Sequence, residues 1–288
     1  MHSAIEQMLQ KYDCHSQLDY INGIKEIFQE IALLGLWRAK FYEKAAFYGG
    51  SALRILYGLD RFSEDLDFTL LKSDDEFDLA HYNQAIADEL KGFGFDVTVE
   101  KKNKNIESNI ESAFIKADSK KQLLVINAPV NVLKSLHHMQ AIKIKMEVDV
   151  HPPQKFNTEV RTLLQPIPFS VKTLTQPDLF AGKIHAILCR PWMTRVKGRD
   201  WYDFVWYIAR QIPVNLNHLR ERLMQSNAWQ QDRQLTQQAL IQLLEQKIEQ
   251  TDFDNAKKDV LPFLKDTQSV ALWDVSFFKE LLKHLSSL

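Results

Sequence analysis

Phe47-Tyr48-Gly49-Gly50-Ser51-Ala52-Leu53-Arg54 and, after a short gap, Arg61-Phe62-Ser63-Glu64-Asp65-Leu66-Asp67-Phe68 are the segments that decide the fold. Ala45 to Tyr48 is a short apolar run that reads as a buried strand, and it stops at a glycine pair. A helix expected over Ser51–Tyr57 follows, with Ser51 placed to cap its N-terminus. A strand–Gly-Gly–helix turn lets backbone approach an anion closely, and the first amides of the helix favour negative charge there. Leu66 to Leu71 alternates in the manner of a half-buried strand. Asp65 and Asp67 at its start are two residues apart and so share one face, a spacing suited to a hard divalent cation. Taken alone, the turn has an ordinary reading as a capped helix start. With the paired acids it supplies the two halves of a nucleoside-triphosphate site.

Outward from that stretch the chain changes character once. Gln17 to Lys44 carries Ile21, Ile24, Ile27, Phe28, Ile31, Leu34 and Trp37 at helical spacing, one long helix or two consecutive ones. An acidic-started helix is expected over Asp74–Leu90, then a strand near Phe95–Glu100 and weaker strands at Ala113–Ala117 and Leu123–Ile126. Ala141 to Val150 alternates most clearly, with Ile142, Ile144, Met146, Val148 and Val150 against Lys143, Lys145, Glu147 and Asp149. Pro166, Pro168 and Pro177 mark a linker zone, placing a boundary near residues 165–175. Helical patterns then run over Pro177–Cys189, Asp200–Arg210, His218–Met224, Leu235–Ile248, Ala256–Leu264 and Val275–Leu285. The fold expected is α+β in two lobes: residues 1–170, a mixed sheet with flanking helices, and residues 171–288, a helical bundle.

Composition bounds the functional class. The 288 residues hold 45% apolar and 25% charged side chains with a net charge of −1, so nothing attracts nucleic acid globally and any such contact needs a local basic patch. Cys14 and Cys189 have neither metal-ligand nor disulfide spacing. With no signal-like N-terminus and no apolar run of membrane length, the expectation is a cytoplasmic protein that does not engage a membrane.

Further acids and bases extend the candidate site. Glu147 and Asp149 share a face of the alternating strand, and either could supply a third carboxylate; an exposed charged face is the competing reading. Lys183 sits among Leu179, Phe180, Ile184, Ile187 and Leu188, where a lone lysine favours a phosphate clamp. Arg190, Arg195, Lys197 and Arg199 make a basic stretch able to hold phosphate or RNA backbone, against the reading of a solvated loop with an Arg199–Asp203 pair.

These residues resemble the AbiEii/AbiGii toxin family of bacterial nucleotidyltransferases, within the DNA polymerase β-like nucleotidyltransferase superfamily. The matching blocks are Phe47–Arg54, Arg61–Phe68, Lys143–Val150, Asp178–Arg190 and Lys197–Trp206, with Asp259–Leu264 and Trp273 similar to the family's C-terminal helices. The resemblance implies Mg²⁺-dependent transfer of a nucleoside monophosphate from an NTP (GTP or a pyrimidine NTP) to an acceptor, a tRNA 3′ end among family members. It also implies a phage abortive infection toxin with an antitoxin from the adjacent gene. Carried onto this sequence, Gly49, Gly50 and Ser51 hold the triphosphate with Arg61 and Ser63. Asp65, Asp67 and Glu147 bind metal, Lys183 is the essential lysine, and Asp200 and Asp203 are the acids of the Arg-Asp-x-x-Asp block. A nucleotide-binding regulator without transfer, or an enzyme modifying a protein or small-molecule hydroxyl, are the other readings.

Overall fold

The structure is a computed structural model and describes residues 2–101, 109–126, 128, 141–191, 196–230 and 233–286. The chain forms two compact units, the first of Met1–Tyr57, Phe62–Pro152 and Val160–Thr173 and the second of Gly58–Arg61, Pro153–Glu159 and Leu174–Leu288.

The first unit is built on helices α1 (Ser3–Leu9), α2 (Gln17–Arg38), α3 (Gly49–Tyr57), α4 (Ala80–Gly92) and α5 (Ser119–Val125). Its strands are β1 (Ala45–Tyr48), β2 (Leu66–Leu70), β3 (Thr98–Lys101), β4 (Ile110–Asp118) and β5 (Ala141–Asp149), with β6 (Thr158–Leu163) and β7 (Phe169–Leu174) closing the far edge. The seven-stranded sheet runs β3-β4-β5-β2-β1-β7-β6. It is mixed: β1 is antiparallel to β2 and parallel to β7, β2 is parallel to β5, and β3, β4 and β5 are antiparallel neighbours. The core lies between one sheet face and α2, whose Ile24, Ile27, Phe28, Ile31 and Leu34 are all buried with Phe47, Phe68, Ile144 and Val148. Ring contacts tie these layers, Phe28 to Phe95 at 4.7 Å between centroids and Phe41 to Phe68 at 4.9 Å.

Four expectations change. Leu123–Ile126 is not a strand: Ser119–Val125 is helix α5, because a short apolar run has no period of its own and Asp118 Oδ1 accepts the Lys121 amide to start a turn. The helix expected from Asp74 begins only at Ala80, since Asp74 and Asp78 each accept a backbone amide two residues on, at 3.0 Å. The zone expected to be linker, near residues 165–175, contains strand β7. Finally, α3 starts at Gly49 rather than Ser51.

The second unit carries α6 (Gln176–Cys189), α7 (Gly198–Ala209), α8 (Leu216–Gln225), α9 (Gln237–Glu249), α10 (Phe253–Val260) and α11 (Val275–Leu282). Its core is aromatic: Phe180 stacks on Tyr207 at 4.3 Å and Phe253 on Phe278 at 4.4 Å, with Trp201 edge-on to Phe278 at 4.9 Å. Gly198 lets α7 meet α10, for a Cβ there would stand 1.8 Å from the Ala256 carbonyl oxygen. The Pro153–Glu159 segment belongs to this unit because buried Asp178 accepts the Asn157 amide at 3.0 Å and the Asn215 Nδ2 at 2.6 Å.

Candidate active site

In the first unit, β1 delivers the chain to a turn set directly against the acids of β2. Tyr48 stands opposite Asp67 in the β1–β2 register, and the next residue, Gly49, has φ +84°. A Cβ on Gly49 would lie 2.5 Å from Asp67 Oδ2, so the carboxylate occupies the space that any other side chain needs. The amides of Gly49, Gly50 and Ser51 form the first turn of α3 and have no intrahelical acceptor. The Ser51 side chain does not cap that helix: it is fully buried and its hydroxyl donates to the carbonyl of Asp65. The turn and the metal-type acids are thus fastened by two contacts, Gly49 to Asp67 and Ser51 to Asp65.

Strand register separates the two candidate third acids. In the parallel β2–β5 pair Asp67 is opposite Glu147, while Asp149 is opposite Thr69 and its Oδ1 accepts the His151 amide at 3.0 Å. Glu147 Oε1 pairs with Lys145 Nζ at 2.7 Å and accepts a long hydrogen bond from Ser112 Oγ at 3.5 Å. Three carboxylates of this kind are hard oxygen donors, chemistry that fits a divalent cation such as Mg²⁺. Among the described residues no three His, Cys, Asp or Glu side chains are gathered around one point. Lys145 lies where a cation would compete for Glu147. Ser63 is held by its carbonyl, which accepts from Gln29 Nε2 at 3.1 Å.

In the second unit Lys183 of α6 bridges Asp200 Oδ1 at 2.7 Å and Asp203 Oδ2 at 2.8 Å, both on α7. Asp203 also receives two bonds from Arg61, Nε to Oδ1 and Nη2 to Oδ2, each 2.6 Å, and Arg190 Nη1 lies 3.0 Å from Asp200 Oδ2. Burial alone would raise the Asp203 carboxyl, but Arg61 and then Lys183 overcome it and hold it below the usual range. The Arg61 guanidinium, expected at the nucleotide, is buried and bidentate to Asp203, since a buried charge needs its partner. The Arg199 guanidinium lies 4.1 Å over the Phe263 ring. Of the basic stretch, Arg190 is ion-paired, Lys197 immediately precedes α7, and Arg195 lies outside the described residues.

Residues not singled out in the sequence also touch the site. Lys145, Ser112, Gln29 and Arg54 all contact its members or their helices. The signal available was polar residues, Glu26, Gln29 and Glu30, interrupting the apolar stripe of a core helix. No helix among the described residues is long and apolar enough to cross a membrane.

Comparison with known proteins gives the family and the fold. A family model described as nucleotidyl transferase AbiEii toxin, type IV TA system, matches residues 31–280. Among solved structures, MenT4, a nucleotidyltransferase toxin of Mycobacterium tuberculosis, superposes with a TM-score of 0.61 at 14% identity, over 100% of this chain and 90% of its own. JHP933 from Helicobacter pylori gives a TM-score of 0.46 at 16% identity, over 91% of each chain. No curated protein matches.

Proposed function

We propose, for a chain that belongs to the AbiEii family of nucleotidyltransferase toxins of type IV toxin–antitoxin systems, that it transfers a nucleoside monophosphate from an NTP to the 3′ end of an RNA, tRNA first among candidates, with Mg²⁺. The family is one of enzymes whose antitoxin is its genetic partner, and the adjacent gene is where that partner is sought. The observation that carries the reading is the Gly49–Asp67 contact, which sets a phosphate-type turn against a metal-type acid.

In this reading the acceptor hydroxyl oxygen forms a bond to the α-phosphorus as the bond to the pyrophosphate oxygen breaks. Asp65, Asp67 and Glu147 would hold Mg²⁺, which would supply Lewis-acid polarisation of the phosphate. The first-turn amides of Gly49, Gly50 and Ser51 bind and orient the triphosphate. Glu147 receives the proton of the acceptor hydroxyl at Oε1, the atom that Lys145 and Ser112 fix. Lys183, clamped between Asp200 and Asp203 so that its rotamer is set, is the cation assigned to the leaving pyrophosphate.

The test is incorporation of label from each of four α-labelled NTPs into total RNA, with and without Mg²⁺. Label should enter RNA from one NTP, require the cation, and vanish in Asp65→Ala and Lys183→Ala. Label that resists RNase, or transfer retained by either variant, refutes the reading.

A further inference from the structure

The first half of α2 grips both catalytic segments of the first unit, and it does so with residues that precede the span matched by the family, which begins at residue 31. Glu26 is the centre of one grip. Its Oε2 accepts from Arg54 Nε at 2.7 Å, and its Oε1 accepts from the Tyr12 hydroxyl at 2.8 Å. Arg54 lies in α3, the helix that opens with the Gly49–Gly50–Ser51 turn, and its guanidinium also rests 4.8 Å over Phe62. Tyr12 stacks on the other side of that grip, 6.4 Å from Phe62. One helical turn further, Gln29 is fully buried and its Nε2 donates to the carbonyl of Ser63, two residues before Asp65. Lys25 completes the set with an ion pair to Glu64 at 3.7 Å.

We infer that Glu26 and Gln29 are positioning residues for nucleotidyl transfer, Glu26 setting the phosphate-binding turn through Arg54 and Gln29 setting the metal-binding acids through the Ser63 carbonyl. The inference rests on the assignment of the NTP site to Gly49–Ser51 and Asp65–Asp67. Burial argues for position rather than general glue. A core helix that needed only to pack would carry apolar groups here; the bonds made by Glu26 and by Gln29 Nε2 offset part of the desolvation cost, while Gln29 Oε1 is buried without a partner. The two grips act on different halves of the site. Loss of the first lets the helix and its amides drift from the triphosphate; loss of the second lets the acids drift from the reacting phosphorus. Misplacement by about 1 Å is enough to cost on the order of a hundredfold in rate.

The experiment uses the full chain, label transfer from α-labelled NTP into total RNA across NTP concentrations, and thermal unfolding of each variant, with Asp65→Ala as reference. Glu26→Gln keeps shape and loses charge, so the KM for NTP rises on the order of tenfold with kcat within about twofold. Arg54→Lys follows the same pattern. Gln29→Met keeps volume and loses the donor, so kcat falls on the order of tenfold with KM within about twofold. The inference is overturned if all three variants keep both constants within about twofold of the parent, or if losses merely follow the fraction folded. If Asp65→Ala itself still transfers label, the site assignment fails and the positioning role falls with it.

Discussion

The α-carbon of Gly49 is packed against the carboxylate of Asp67, close enough that a methyl group there would stand 2.5 Å from Oδ2. The same residue is in the left-handed region, φ +84°, where an L side chain is strained by about 1–2 kcal/mol. Gly49→Ala is therefore expected to lose transfer activity by more than its loss of stability explains, because Asp67 must move. Label transfer measured beside thermal unfolding checks this; full activity in Gly49→Ala would show that Asp67 has no fixed place.

Register distinguishes the two candidate third carboxylates. With Glu147 opposite Asp67 and Asp149 opposite Thr69, Glu147→Gln should lower label transfer on the order of a hundredfold or more, whereas Asp149→Asn stays within about threefold. Equal losses in the two would mean that the register does not decide.

Arg61 serves stability. Its guanidinium and the Asp203 carboxylate are buried with 2.6 Å contacts, and removing one partner of such a pair costs roughly 3–5 kcal/mol. Arg61→Met should lower the unfolding midpoint by roughly 10 °C. A raised KM for NTP with the midpoint unchanged would instead return Arg61 to the nucleotide.

Glu30 makes the first unit pH-sensitive. Burial, with Glu26 adding to it and Lys11 opposing, pushes its carboxyl from 4.5 up to about 7. The folded form thus holds the proton more tightly than the unfolded chain, so this contribution is full below about 4.5 and is lost as pH rises through about 7. Glu30→Gln, which cannot ionise, should exceed the parent in stability by roughly 2–3 kcal/mol near pH 8, the gap closing toward about pH 5. Urea unfolding at the two pH values checks it; a gap that widens in acid contradicts the sign.

Patterns that belong to one element were legible in the sequence. β1, the β2 start, the alternating β5 and the helices of the second unit all follow from apolar spacing and from glycine or proline punctuation. The β6–β7 edge was hidden because Pro166 and Pro168 dominate its turn, although Phe169, Val171 and Thr173 alternate inward with Ser170 and Lys172 between them. What no spacing contains is partnership across the chain. Arg61 finds Asp203 from 142 residues away, and Gln29 finds Ser63 from 34. For the same reason Glu147 and Asp149 were equivalent on their own strand and differ only beside β2.

Arg61, Asp203, Lys183, Asp200 and Arg190 form a string in which cation and anion alternate, three cations to two carboxylates. A string of odd length cannot balance itself. Its surplus is positive, and its most open cation is Arg190, whose side chain is 47% exposed while Arg61 is sealed at 2%. Deleting an acid doubles the surplus and deleting a base cancels it, so substitutions along the string have a polarity as well as a size. Neutralising Asp200 and neutralising Lys183 would change the pull on an approaching anion in opposite directions, even where both weaken the same contact.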